Sequence, residues 1–108
     1  DIIRDRATLS REVAGGYIEN VYQLQIMNMT EAPRNFDVTV DGLEGIRISD
    51  FDGKIEVAPA TMQAVTLRVQ VPVDTGEPGS SNVIHFEIKA SDDPSVGVRE
   101  ASTFLLPR

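Results

Sequence analysis

The side chains with the most obvious capacity for chemistry are one histidine, three methionines and 17 carboxylates, with no cysteine among 108 residues. Without cysteine there is no disulfide, no thiolate nucleophile, no zinc finger and no cysteine-ligated iron–sulfur cluster. His85 could act as a general base or a metal ligand. However, it shares the polar face of its strand with Glu87 and Lys89, and no Ser, Cys or second His accompanies it in a catalytic pattern. Met27 and Met29 lie two residues apart, so a straight strand presents them on one side. Soft thioethers suit copper(I), and His85 could complete such a set. The alternative for both methionines is flexible packing under a loop. The segment Asp50-Phe51-Asp52-Gly53 lacks the ligand spacing of a calcium loop, and aspartates in turns are expected from Asx hydrogen bonding alone. No two carboxylates are placed as a glycosidase pair. Asn28-Met29-Thr30 fits an N-glycosylation acceptor, a triplet that chance supplies often. The expected inventory is therefore no catalytic residue, no bound cofactor and no metal site.

A formal charge of −7, with 10 scattered basic residues, argues against nucleic acid as a partner. No apolar stretch approaches the roughly 20 residues that span a bilayer. The chain starts at Asp1 with no signal peptide in view, and it reads as a piece of a longer protein whose anchor lies elsewhere. Its length suits one domain, residues 1–108.

The elements that must position these side chains follow a period of two. Tyr22, Leu24 and Ile26 alternate with Gln23 and Gln25. Phe36, Val38 and Val40 alternate with Asp37, Thr39 and Asp41. Val65, Leu67, Val69 and Val71 form a third run, and Ile84, Phe86, Ile88 and Ala90 a fourth. Such alternation, rich in β-branched and aromatic residues, predicts antiparallel sheets with one face buried. Residues 46–48, 54–57 and 98–106 read as further strands, and 2–6 as a leading edge strand. Residues 7–13 could make one helical turn, stopped by Gly15-Gly16. Turns fall at Thr30-Glu31-Ala32-Pro33, at Asp41-Gly42, at Asp52-Gly53, from Gly76 to Ser81, and at Ser91-Asp92-Asp93-Pro94. The prediction is all-β: an immunoglobulin-like antiparallel sandwich of about seven to eight strands. The missing Cys…Trp…Cys pattern excludes an antibody-type domain.

The first 45 residues carry a more particular pattern. Arg4-Asp5-Arg6, Leu9 and Arg11-Glu12 precede Gly16-Tyr17-Ile18-Glu19-Asn20-Val21-Tyr22. Leu24, Ile26, Asn28 and Thr30 follow, then Phe36 and Val40-Asp41-Gly42-Leu43. This resembles the C-terminal region of the FixG/CcoG family, accessory proteins of cbb3-type cytochrome c oxidase. The later strands agree with that family in pattern only.

The resemblance implies a parent that is a bacterial inner-membrane polyferredoxin, active in oxidase assembly through copper reduction and delivery. It implies an immunoglobulin-like C-terminal domain on the periplasmic side. The parent's iron–sulfur clusters would sit outside this cysteine-free chain, which would be a non-catalytic interaction domain, not an enzyme. Its partner would be a protein: oxidase subunits or the membrane-anchored remainder of its own chain. Membrane contact would come only through that missing part. Arg4, Asp5, Arg6, Arg11 and Glu19 are the candidate interaction residues. Exposed ion pairs stabilise by only about 0–1 kcal/mol each, so orienting the domain against its parent explains their clustering better than stability does, and a local network that fixes the first strand is the alternative. Two alternatives stay open: a copper-binding module using Met27, Met29 and His85, and an unrelated extracellular adhesion or carbohydrate-binding sandwich.

Overall fold

The computed structural model describes the backbone of Ile2–Arg4 and residues 10–107. The alternating runs become strands longer than their clean centres. They are β3 (Tyr17–Asn28), β4 (Arg34–Asp41), β7 (Thr61–Pro72) and β8 (Ser81–Ala90). Shorter or less regular strands complete the set: β1 (Ile2–Arg4), β2 (Ser10–Val13), β5 (Arg47–Ser49), β6 (Lys54–Val57) and β9 (Asp93–Leu105). All pairings are antiparallel.

Two sheets result. In one, β3 and β7 form the centre, β5 takes the edge beside β7, and β1 and β2 share the edge beside β3. In the other the order is β6-β4-β8-β9. The nine described strands exceed the expected seven or eight because the leading edge comes in two pieces. Ile2 lies opposite Ile26, whereas Ser10 lies opposite Asn20, a register shift of two residues between the pieces. Where a helical turn is expected at the end of 7–13, residues 10–13 are instead strand β2. The glycine pair that would have stopped a helix is a hairpin turn, Gly15 and Gly16 both holding positive φ (88° and 80°). β-Hairpin geometry matches Val13 to Tyr17 across that turn, and pairing outcompetes a helix too short to be stable alone.

The chain switches sheets between β5 and β6. Asp50 takes a left-handed φ of 53° at this corner, a conformation that Asp tolerates better than most residues. The Val38 amide then donates to the Gly53 carbonyl at 2.9 Å. At the other end of the sheet β9 begins at Asp93, inside the expected Ser91–Pro94 turn, and a register shift at Lys89/Ala90 absorbs the change.

The core fills the space between the sheets. Ile18, Tyr22, Leu24 and Ile26 from β3 and Leu67, Val69 and Val71 from β7 face Phe36, Val38, Ile84, Phe86, Ile88 and Phe104. Tyr22 and Phe86 meet edge to face with ring centres 5.2 Å apart. Fully burying such side chains stabilises by roughly 1.5–3 kcal/mol each, which lets a chain of this size fold without a covalent staple.

Candidate functional site

The period that buries Ile18, Tyr22 and Leu24 turns Tyr17, Glu19, Val21 and Gln23 to the outer face of the five-stranded sheet. Strand register then assembles a row across four strands. Arg11 of β2 lies opposite Glu19 of β3, Glu19 opposite Gln70 of β7, and Gln70 opposite Arg47 of β5. Glu19 is only 4% exposed. Its carboxylate accepts from Gln70 Nε2 at 2.9 Å and from Arg68 Nη1 at 3.3 Å, and Arg11 Nη2 stands 3.6 Å away. Gln70 passes the polarity on: its Oε1 accepts from Arg47 Nη2 at 2.9 Å and Nε at 3.2 Å. The Arg47 guanidinium lies 3.9 Å over the centre of the Tyr17 ring, a cation–π contact.

The hydrogen bond from Gln70, helped by Arg68 and Arg11, holds the Glu19 carboxyl below its ordinary range despite burial, which pushes the other way. The carboxylate therefore stays charged and fixes two of the three guanidiniums. The Arg11 and Arg68 side chains remain more than half exposed (59% and 52%), so the row is a surface and not a buried network.

Of the expected interaction residues, Arg11 and Glu19 are brought together here. Arg4 belongs to β1, its backbone opposite Leu24. Asp5 and Arg6 lie outside the described residues. Sequence reasoning missed Arg68, Gln70, Arg47 and Tyr17 as members of this group. Polar residues in the outward phase of β7 were visible, but which of them would meet Glu19 was not.

Met27 and Met29 line a common groove of about 240 Å³, with Phe36 and Ile88 in its wall and Val96 and Val98 on its rim. His85 is elsewhere. It pairs with Asp41, five residues along β4 from groove residue Phe36, a separation of about 17 Å at the strand rise. His85 Nδ1 is 4.0 Å from Asp41, whose carboxylate takes both terminal nitrogens of Arg99 at 2.9 and 3.1 Å. Among the described residues no three His, Asp or Glu side chains converge as a metal site. Asp52 and Asp93 each accept from the backbone amide two residues on, the Asx geometry of turns.

Two motif residues have structural explanations. Asn20, fully buried, uses Nδ2 to reach Ser10 Oγ and the Leu105 carbonyl, while its Oδ1 accepts from the Leu105 amide at 2.9 Å. Asn28, also buried, donates to the carbonyls of Ala32 and Val57 and accepts from both the amide and hydroxyl of Thr30. Occupied at both ends of its amide, it is a brace at the end of β3 and is closed to a glycosyl donor in the folded domain. A polar amide in the buried phase of an otherwise apolar strand was the readable signal for both. Gly42 has an equally local reason. At φ 129° an added Cβ would lie 2.7 Å from the Val83 carbonyl oxygen and 2.8 Å from Ile84 Cα.

Two antiparallel sheets packed through alternating inward faces, with the first long strand in one sheet and the second in the other, define an immunoglobulin-like sandwich. A family model described as "IG-like fold at C-terminal of FixG, putative oxidoreductase" matches residues 1–107. The chain belongs to this FixG C-terminal family. Among solved structures it is similar to a FixG-related protein from Vibrio parahaemolyticus, with a TM-score of 0.79 and 23% identity, covering 98% of this chain and 93% of that one. It is also similar to the N-terminal domain of PorA, with a TM-score of 0.56 and 15% identity over 94% of this chain and 85% of that one. Both likenesses are of fold. A search of curated protein sequences returns no match.

Proposed function

We propose that this domain is a non-catalytic, periplasmic interaction module of a membrane-bound polyferredoxin that assists assembly of cbb3-type cytochrome c oxidase. The observation that carries the reading is the family match over residues 1–107 in a chain that holds no cysteine. Thiolate-ligated clusters, which such a parent needs for electron transfer, must then be ligated elsewhere in it. What the domain offers instead is a rigid sandwich displaying an ordered polar row on one broad face. Its partner is a protein: an oxidase subunit or the membrane-anchored part of the parent. The copper-module reading is the weaker one. Met27 and Met29 do share a groove, but the single imidazole lies on another face, leaving two thioethers as an incomplete set.

The test is removal of this domain from the full-length parent, expressed at its native level in a bacterium that depends on it. The truncated parent is expected to stay in the membrane with its cluster absorbance intact, while assembled, active oxidase falls severalfold. Unchanged oxidase in cells that contain the truncated parent would overturn the proposal.

A further inference from the structure

The two outer faces of the sandwich differ in charge. On the five-stranded sheet, the outward positions of β2, β3, β5 and β7 carry Arg11, Arg47 and Arg68 against Glu19 alone. The other positions in that ladder are uncharged, among them Val21, Gln23, Gln25, Ala64 and Thr66. The four-stranded sheet shows the opposite balance. Asp37, Asp41, Glu56 and Glu87 outnumber Lys54, Lys89 and Arg99 there, and most are paired: Asp37 with Lys54 at 2.7 Å, Asp41 with Arg99 at 2.9 Å, Glu87 with Lys89 at 3.1 Å. In a molecule of net charge −7, a face with a cationic surplus stands out from everything around it.

We infer that the outer face of the five-stranded sheet docks an acidic segment of a partner protein, whose carboxylates are taken by Arg11, Arg47 and Arg68. This rests on the interaction-module reading above and names the surface and the partner's chemistry. Three arginines stand against one carboxylate, which pairs with only two of them and cannot neutralise the set. It orders them: Glu19, buried and charged, fixes Arg68 and Arg11 from beneath, while Gln70 and the Tyr17 ring fix Arg47. Guanidiniums held in place lose less freedom on binding, and their planar donor forks suit carboxylates. The described strands β2, β3, β5 and β7 present a broad pleated surface here, which fits an extended peptide or another sheet better than a small molecule. An anionic membrane and a nucleic acid are disfavoured by the same charge balance. Both bind through long-range attraction to many phosphates, which a net charge of −7 opposes, whereas short-range pairing to a few carboxylates survives it.

The test uses the 108-residue chain and a fluorescein-labelled 12-residue peptide of alternating Glu and Thr, followed by anisotropy in 20 mM and 150 mM salt. Its Gln-for-Glu counterpart, vesicles containing 30% phosphatidylglycerol, and a single-stranded oligonucleotide are run in parallel. The acidic peptide is expected to bind more tightly than the other three. Arg47→Gln/Arg68→Gln should weaken it at least tenfold, and Lys54→Gln/Arg99→Gln on the opposite face should leave it within twofold. Thermal melts of both variants check that each is folded, and Arg68→Gln alone serves if the double variant is not. Equal losses from both faces, no peptide binding, or tighter binding to vesicles or oligonucleotide would each overturn the inference. In cells, oxidase lost on domain removal but retained in the Arg47→Gln/Arg68→Gln parent would reject this surface and leave the interaction-module reading standing. Oxidase unaffected by domain removal would reject that reading itself.

Discussion

Glu19 is the structural residue beneath the proposed docking face. Its carboxylate lies on the outward side of β3, yet neighbouring side chains cover it almost completely and supply its hydrogen bonds. Because the Gln70 hydrogen bond and the two arginines lower its pKa in the folded state, its ionisation contributes stability above the ordinary carboxylate range. That contribution is lost as pH falls through the depressed value. Replacing it with Gln leaves the Arg68 and Gln70 donors facing a neutral amide, and is expected to cost about 1–3 kcal/mol at pH 7. The deficit should shrink as pH falls below the ordinary carboxylate range and through the depressed value, where the native carboxyl also becomes neutral. Urea denaturation of both proteins between pH 3 and 7 measures this, and a deficit independent of pH would contradict the assignment. Arg11 and Glu19 were grouped in the sequence as candidate interaction residues, but the hairpin around Gly15-Gly16 that brings them together was not read there, where a helical turn was expected. Arg68 and Gln70 reach the same carboxylate, and Arg47 reaches Gln70, through pairings 20 or more residues apart, and a period of two does not say which residue faces which.

Among the elements, the long central strands could be read directly and the edges could not. The runs around Tyr22–Ile26, Phe36–Val40, Val65–Val71 and Ile84–Ala90 have one wet face and one dry face, so their alternation is imposed by burial. Edge strands are half free of that constraint. β1 and β2 therefore left only a weak pattern, and the first two residues of β9, Asp93 and Pro94, both exposed, read as part of a turn. Its edge is guarded by Pro94 and by the register shift at Lys89/Ala90, both devices that discourage pairing with another chain. Further along β9 the guarding is done from the other sheet. Asn20 pairs with both backbone groups of Leu105, and Tyr22 donates its hydroxyl to the Thr103 carbonyl at 2.7 Å. Two side chains in the inward phase of β3 thus act as a clasp between the sheets. Asn20→Ala would strand the Leu105 amide, leave the Leu105 carbonyl with only the Ser10 hydroxyl, and is expected to destabilise the domain by about 2–4 kcal/mol. The melting temperature should drop by about 10 °C or more. A drop of only a degree or two would show that the clasp does not hold the sheets together.

At the scale of the molecule, the sequence carried the fold class and the family but not the direction in which the domain faces its partner. Among the described residues of the family pattern, Asn20, Tyr22, Asn28 and Gly42 serve packing and hydrogen bonding. The surface that separates this sandwich from a merely stable one is the arginine row, which exists only after β2, β3, β5 and β7 are in register. The two broad faces differ in charge balance, a cationic surplus on one and a slight acidic surplus on the other, so the proposed partner would meet the domain in one orientation more favourably than in the other. If its role is to supply that surface, a sandwich of the same size cannot replace it. The most direct measurement is oxidase content in cells whose full-length parent carries an unrelated immunoglobulin-like domain in place of residues 1–108. A severalfold loss of assembled oxidase, with the parent's clusters and membrane location unchanged, is the predicted result. Full oxidase assembly with the substituted domain would contradict it.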